Sequence, residues 1–252
     1  MKKTTAALLL TGVAGSAYAA PAFDRPGAGF NPEVLAPGSM IWEQGLPDVT
    51  RNKEDGTTST LYQYDSRLRL GLTDQLEVQF FGDPYRRMTT SGAGDVDGPG
   101  NAGIALKMNI PTRNERASFG VMTSVEFNTG KAAFRNYGSD GKEARSVYLG
   151  VTGGWELNDR QSVAAYLDVT RTDEDDVYTF SPSWQTTLDE DWALYLEYKV
   201  SFGDLDDEDH LAGGGVTWMV TDKLQLDLYS DFGITSDSTD YESGFGVSYL
   251  IR

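Results

Sequence analysis

Leu61-Tyr62-Gln63-Tyr64-Asp65-Ser66-Arg67-Leu68-Arg69-Leu70-Gly71-Leu72 alternates between two kinds of side chain. Tyr62, Tyr64, Ser66, Leu68, Leu70 and Leu72 fall on one side. Gln63, Asp65, Arg67, Arg69 and Gly71 fall on the other. Successive side chains of an extended strand point to opposite faces, so this stretch is a strand with one apolar face and one charged face.

The same split recurs outward from this stretch, starting from a weaker first strand near Ser39 to Gln44. Leu76, Val78 and Phe80 share a face, as do Ile104, Leu106, Met108 and Ile110, and then Phe119, Val121, Val125 and Phe127. Further sets follow at Val147 to Leu157, Val163 to Val169, Tyr178 to Leu188, Trp192 to Phe202, Val216 to Val220, Leu224 to Phe232 and Phe245 to Ile251. None of these apolar faces carries Asp, Glu, Lys or Arg, and together they make about twelve strands.

A soluble β-sandwich also alternates, with its wet face outside, so alternation alone leaves both readings open. Strand length and aromatic placement favour a barrel in lipid. Trp155, Trp192, Trp218 and Tyr249 sit near one set of strand ends. Tyr62, Phe80, Phe127, Tyr178, Phe202 and Tyr241 sit near the other, as girdles at the two headgroup layers would. No apolar run approaches the roughly 20 residues of a membrane helix, and mean hydropathy is -0.40. A membrane-spanning form of this chain must therefore be a closed barrel, because hydrocarbon leaves open backbone groups unsatisfied. The expected fold is all-β, a transmembrane antiparallel up-and-down β-barrel.

The N-terminus supplies a delivery route. Met1-Lys2-Lys3 is basic, Thr4 to Ser16 is apolar around Leu8-Leu9-Leu10, and Ala17-Tyr18-Ala19 is a small-x-small cleavage site. This order reads as a secretory signal peptide over residues 1–19, cleaved after Ala19. It directs the chain to a Gram-negative outer membrane, where the expected partners are outer-membrane lipid, lipopolysaccharide, periplasmic chaperones and the barrel-assembly machinery. Residues 20–38, rich in Pro, Gly and Ala, form a periplasmic tail or a plug, and residues 39–252 form the barrel. The formal charge of -17 argues against nucleic acid, whose phosphates need cationic partners. There is no cysteine, so thiol chemistry is absent.

Turns alternate in character. Leu72-Thr73-Asp74-Gln75-Leu76, Leu157-Asn158-Asp159-Arg160, Leu188-Asp189-Glu190-Asp191-Trp192 and Val220-Thr221-Asp222-Lys223-Leu224 are tight-turn sequences, whose Asn, Asp and Thr side chains bond the local backbone. Between them come polar or Gly-rich connections, with long ones expected at Pro47 to Thr58, Asp83 to Pro99 and Asn128 to Glu143.

The Thr73-Asp74-Gln75-Leu76 and Thr221-Asp222-Lys223-Leu224 turns, Gly103-Ile104-Ala105-Leu106-Lys107 and Phe127-Asn128-Thr129-Gly130 resemble a family of outer-membrane transporters. So do Arg25-Pro26-Gly27-Ala28-Gly29-Phe30, Pro37-Gly38 and Glu43-Gln44-Gly45-Leu46-Pro47. The family is named for phenol meta-pathway degradation, and the resemblance covers most of the mature chain. It implies passage of small, aromatic or hydrophobic compounds, and it carries over no catalytic or binding residue.

The inward charges are the first candidate site. Asp65, Arg67, Arg69, Glu77, Lys107, Glu126, Glu197, Lys199 and Asp227 share the lumen face. They form either a selectivity constriction or a set of ion pairs that fills a narrow bore. Pro182 stands in an apolar-faced strand without the N–H that a ladder needs. It marks either a lateral gate for hydrophobic solutes, or a bulge or the upper end of the strand. The acidic runs Asp173-Glu174-Asp175-Asp176 and Asp204 to Asp209 lack EF-hand spacing and read as a solvated rim rather than a metal site. His210, the sole histidine, sits at an outer strand end near Ser201 with nothing in the sequence that fixes the pair, so a lipid hydrolase is the least supported class. The expected function is a channel or transporter without cofactors that is not an enzyme, the alternative being a structural or surface-interaction barrel with an occluded bore.

Overall fold

The computed structural model describes residues 23–54, 56–138, 140–173, 175–203 and 208–252. The leader, Glu174 and residues 204–207 of the second acidic run lie outside them.

The chain forms a closed antiparallel barrel of twelve strands. These are β1 (Met40–Glu54), β2 (Thr57–Thr73), β3 (Leu76–Thr90), β5 (Ala102–Ile110), β6 (Ala117–Phe127), β7 (Ser146–Asn158), β8 (Gln161–Thr172), β9 (Asp175–Thr187), β10 (Trp192–Gly203), β11 (Asp209–Thr221), β12 (Leu224–Gly233) and β13 (Tyr241–Leu250). A short β4 (Val96–Gly98) pairs with the far end of β3, outside the ring. Each strand pairs with its sequence neighbour, and β1 closes on β13 through register pairs such as Trp42↔Tyr249. Closure leaves no open edge.

Alternation orients the wall. Phe80, Leu106, Leu149, Leu167, Leu196 and Leu228 are exposed on the outside, while Arg69, Glu77, Gln79, Lys107, Asp227 and Ser248 are buried within. An apolar exterior around a polar interior reverses the soluble arrangement, and it is the pattern hydrocarbon requires. Directly opposed aromatics mark both rims. Trp192 stacks on Trp218 at 5.2 Å, near the turn end, and Tyr178 on Phe202 at 5.6 Å, near the loop end.

The tight turns share one device. The side-chain oxygens of Thr73, Asn158, Asp189 and Thr221 each accept two backbone N–H bonds from the residues that follow. Both ends of the barrel chain, Met40 and Leu250, lie at this turn end.

Two expected loops are strand instead. The first strand is strong and continues through Pro47 to Glu54, so the connection expected at Pro47 to Thr58 shrinks to residues 55–56. Likewise β3 continues through Pro84 to Thr90 within the expected Asp83 to Pro99 loop. The ladder slips by one residue at each proline, between Gly45 and Asp48 and between Tyr64 and Ser66 opposite Asp83-Pro84. A bulge leaves one residue unpaired, so it absorbs a proline without ending the strand.

Candidate functional site

Residues 23–38 enter the bore before β1 begins. Gly38 N donates to Gly71 O at 2.9 Å, and Leu35 N donates to the Glu77 carboxylate at 3.0 Å. Lys107 Nζ donates to Asn31 O at 3.1 Å and Asn109 to Pro32 O at 3.2 Å. Farther on, Ala28 N donates to Glu197 at 3.0 Å and Gln225 donates to Arg25 O at 3.0 Å. The strands carrying Lys107 and Glu197, β5 and β10, stand on nearly opposite sides of the ring. The segment therefore crosses the lumen. Gly120 permits this route, because a Cβ there would lie 2.7 Å from Pro32 Cα.

Two ion clusters hold the segment. In the first, Arg69 contacts Glu77 at 2.7 Å, Glu43 at 3.2 Å and Asp24 at 3.4 Å, and Lys107 contacts Asp24 at 2.9 Å. The Arg69 and Lys107 side chains are 0% exposed. In the second, Arg25 reaches Asp48 at 2.8 Å, Asp65 at 3.1 Å and Asp227 at 3.4 Å. Charges so deeply withdrawn from water persist only when paired.

Burial pushes the Asp24 carboxyl up, but Arg69, Lys107 and Arg67 outweigh it and hold the group at about 2, below its ordinary 3.8. A carboxyl depressed in the folded state contributes stability above its ordinary value and loses it as pH falls through the depressed one. The Asp24 anchor should therefore hold from neutral pH to about 4 and be lost as pH falls towards about 2. Conductance should rise as pH falls from about 4 towards about 2, and no rise there would contradict the assignment.

The remaining inward candidates are dispersed. Glu126 accepts from Asn101 at 2.9 Å and Asn136 at 2.8 Å, and Lys199 pairs with Glu242 at 2.5 Å. Arg67 donates to Gln79 at 2.6 Å and lies 5.4 Å from the Phe81 ring centroid. Pro182 pairs in register with Ala165 of β8. Towards β10 the register runs from Glu197↔Ser183 to Val200↔Phe180 unchanged, but the two positions between carry no ladder pair. His210 bonds Tyr198 at 2.7 Å and Glu208 at 3.0 Å, whereas Ser201 bonds Thr179 at 3.2 Å, so the histidine and serine are not partners.

Sequence reading missed Asp24, Arg25, Glu43 and Asp48 as site residues. A usable signal existed for the first two, because Asp24-Arg25 interrupts a stretch of Pro, Gly and Ala with adjacent opposite charges.

Three cavities flank the segment. Two lie towards the loop end, of about 420 and 340 Å³, and one of about 520 Å³ opens towards the turn end. Arg25, Gly27 and Ala28 border all three, so the segment is the partition between them.

A sequence model of the family described as "Putative MetA-pathway of phenol degradation" matches residues 23–251. The chain belongs to this family. The match takes in the lumen segment as well as the barrel. A search of the curated proteins finds no match. Among solved structures, the COG4313 outer membrane channel from Pseudomonas putida F1 superposes with a TM-score of 0.71 at 16% identity, covering 90% of this chain and 99% of that one. The KdgM porin gives 0.52 at 12% identity, covering 85% and 99%. The CymD monoaromatic hydrocarbon channel gives 0.50 at 9% identity, covering 85% and 88%. At these identities the likeness is one of fold.

Proposed function

We propose that this protein is an outer-membrane channel for small aromatic or hydrophobic solutes, with residues 23–38 as its plug and residues 1–19 removed during secretion. The observation that carries this reading is a segment strung across the bore by ion clusters, with cavities on both sides. A purely structural barrel needs no such partition. Family membership supports a transport role, and the channels among its structural neighbours, one of them named for monoaromatic hydrocarbons, point to the solute class.

The wall offers a sideways exit. Pro182 supplies no N–H, and two ladder positions between β9 and β10 are unpaired beside the turn-end cavity, which Ser181, Ser183 and Glu197 border. A solute crossing there would enter lipid without passing through the periplasm. Ser181 and Lys199 stand opposite each other in this register. A Ser181→Cys/Lys199→Cys pair, once oxidised, should abolish uptake of toluene-like solutes into proteoliposomes and leave ion conductance unchanged. Undiminished uptake in the crosslinked form would remove the lateral route. Failure of the uncrosslinked protein to pass any aromatic would favour the occluded structural barrel.

A further inference from the structure

Above the segment, the 340 Å³ cavity has an unusual composition. Its apolar wall is the buried cluster of Phe30, Ala105, Met122 and Tyr166, with Phe81 and Tyr148 packed against it. Phe30 meets Tyr166 edge to face at 6.0 Å, and the Tyr148 and Tyr166 hydroxyls bond each other at 2.9 Å. An apolar cavity of roughly 150 Å³ admits a benzene ring, so one ring fits here with room for a substituent.

One charged donor at this wall has no carboxylate within ion-pair distance among the described residues. Arg67 differs from Arg69 and Lys107, which are locked into carboxylates. Among the described residues Arg67 forms no ion pair, and its hydrogen bonds, to Gln79 and Met122, use Nη1 alone. Its guanidinium lies against the Phe81 ring with Nη2 and Nε left for a ligand.

We propose that this cavity recognises a neutral single-ring aromatic bearing an oxygen acceptor, a ketone, aldehyde or ester, with Arg67 as the donor to that oxygen. This rests on the transport reading above and names its solute class. Charge decides against an aromatic acid: Asp24, Glu43, Asp65 and Glu126 border the cavity with Arg25 and Arg67, and their partners behind it, Arg69 and Lys107 with Glu77, Asp48 and Asp227, still leave carboxylates in excess, which a further carboxylate would meet. The apolar wall takes the ring, and the guanidinium rewards an acceptor that a plain hydrocarbon lacks.

The test is ligand-observed saturation-transfer NMR on the full mature chain in nanodiscs, with empty nanodiscs as the blank. Acetophenone, ethylbenzene and benzoate are the probes. Acetophenone should bind most tightly, about tenfold or more above ethylbenzene, as a hydrogen bond from a charged donor allows. Benzoate should bind weakest. Arg67→Met should bring the acetophenone-to-ethylbenzene affinity ratio down to about one, and Arg67→Lys should restore part of it. Equal binding of acetophenone and ethylbenzene, tightest binding of benzoate, or a preference that survives Arg67→Met would overturn the proposal. The wild-type comparison needs no variant, so it stands even if Arg67→Met fails to fold. Passage of both rings into proteoliposomes without discrimination would sink this site and keep the transport reading, whereas Arg67-dependent binding without passage would sink the transport reading alone.

Discussion

Deleting Phe23 to Leu35 should raise single-channel conductance in planar bilayers severalfold and admit small sugars in liposome-swelling assays. The segment is the shared wall of all three cavities, through Arg25, Gly27 and Ala28. Without it, the two loop-end cavities and the turn-end cavity become one water-filled path. The barrel itself should survive, because its ladders run strand to strand and none includes the segment. Ala36 to Ser39, which bond Gly71 and one another, remain as the lead into β1. Unchanged conductance with normal heat-modifiable migration on gels would show that the bore is blocked elsewhere, and the plug assignment would fail.

The second large effect belongs to Arg69. Arg69→Met keeps most of the side-chain volume and removes the charge shared by Asp24, Glu43 and Glu77. Breaking a buried pair from one side costs on the order of 3–5 kcal/mol, because the abandoned carboxylates lose their counter-charge away from water. The cheapest relief is to let the segment leave and water enter. Arg69→Met should therefore lower the unfolding temperature and make residues 23–38 susceptible to protease at neutral pH. Adding Glu77→Gln should recover part of the loss, since the two residues touch and their effects do not add. Full protease resistance in Arg69→Met would mean that the Arg25 cluster alone holds the segment.

Much of the barrel was legible from period-two alternation. Residues from Leu61 to Leu72 face outward and inward as their parity requires, and so do Leu106, Lys107, Leu196 and Glu197. Parity tells which face a residue takes, and this brought Arg69, Glu77 and Lys107 to the right side of the wall. It does not tell which residues meet. That depends on strand register, which the bulges at Pro47 and Asp83-Pro84 shift by one, and in sequence those prolines read as the ends of strands. The segment was harder still. Residues 23–38 have no periodicity, and their positions follow from contacts made with strands up to about 200 positions away, such as Arg25 with Asp227 and Gln225. The neutral pairing of Glu126 with two asparagines was equally hidden, since one of them comes from the β6–β7 connection.

Arg25 has a consequence for how the cylinder is completed. The guanidinium reaches Asp48 on β1 and Asp65 on β2 and also Asp227 on β12, while its carbonyl receives Gln225 of β12. These strands flank the junction where the first strand meets the last, β1 against β13. One residue that belongs to no strand thus clasps both sides of the seam from within. A nascent sheet whose leading and trailing edges have not met cannot offer Arg25 its full set of carboxylates, so seating the segment adds to the stability of the closed seam without being required to form it. The clasp favours the closed ring over any open sheet of the same strands.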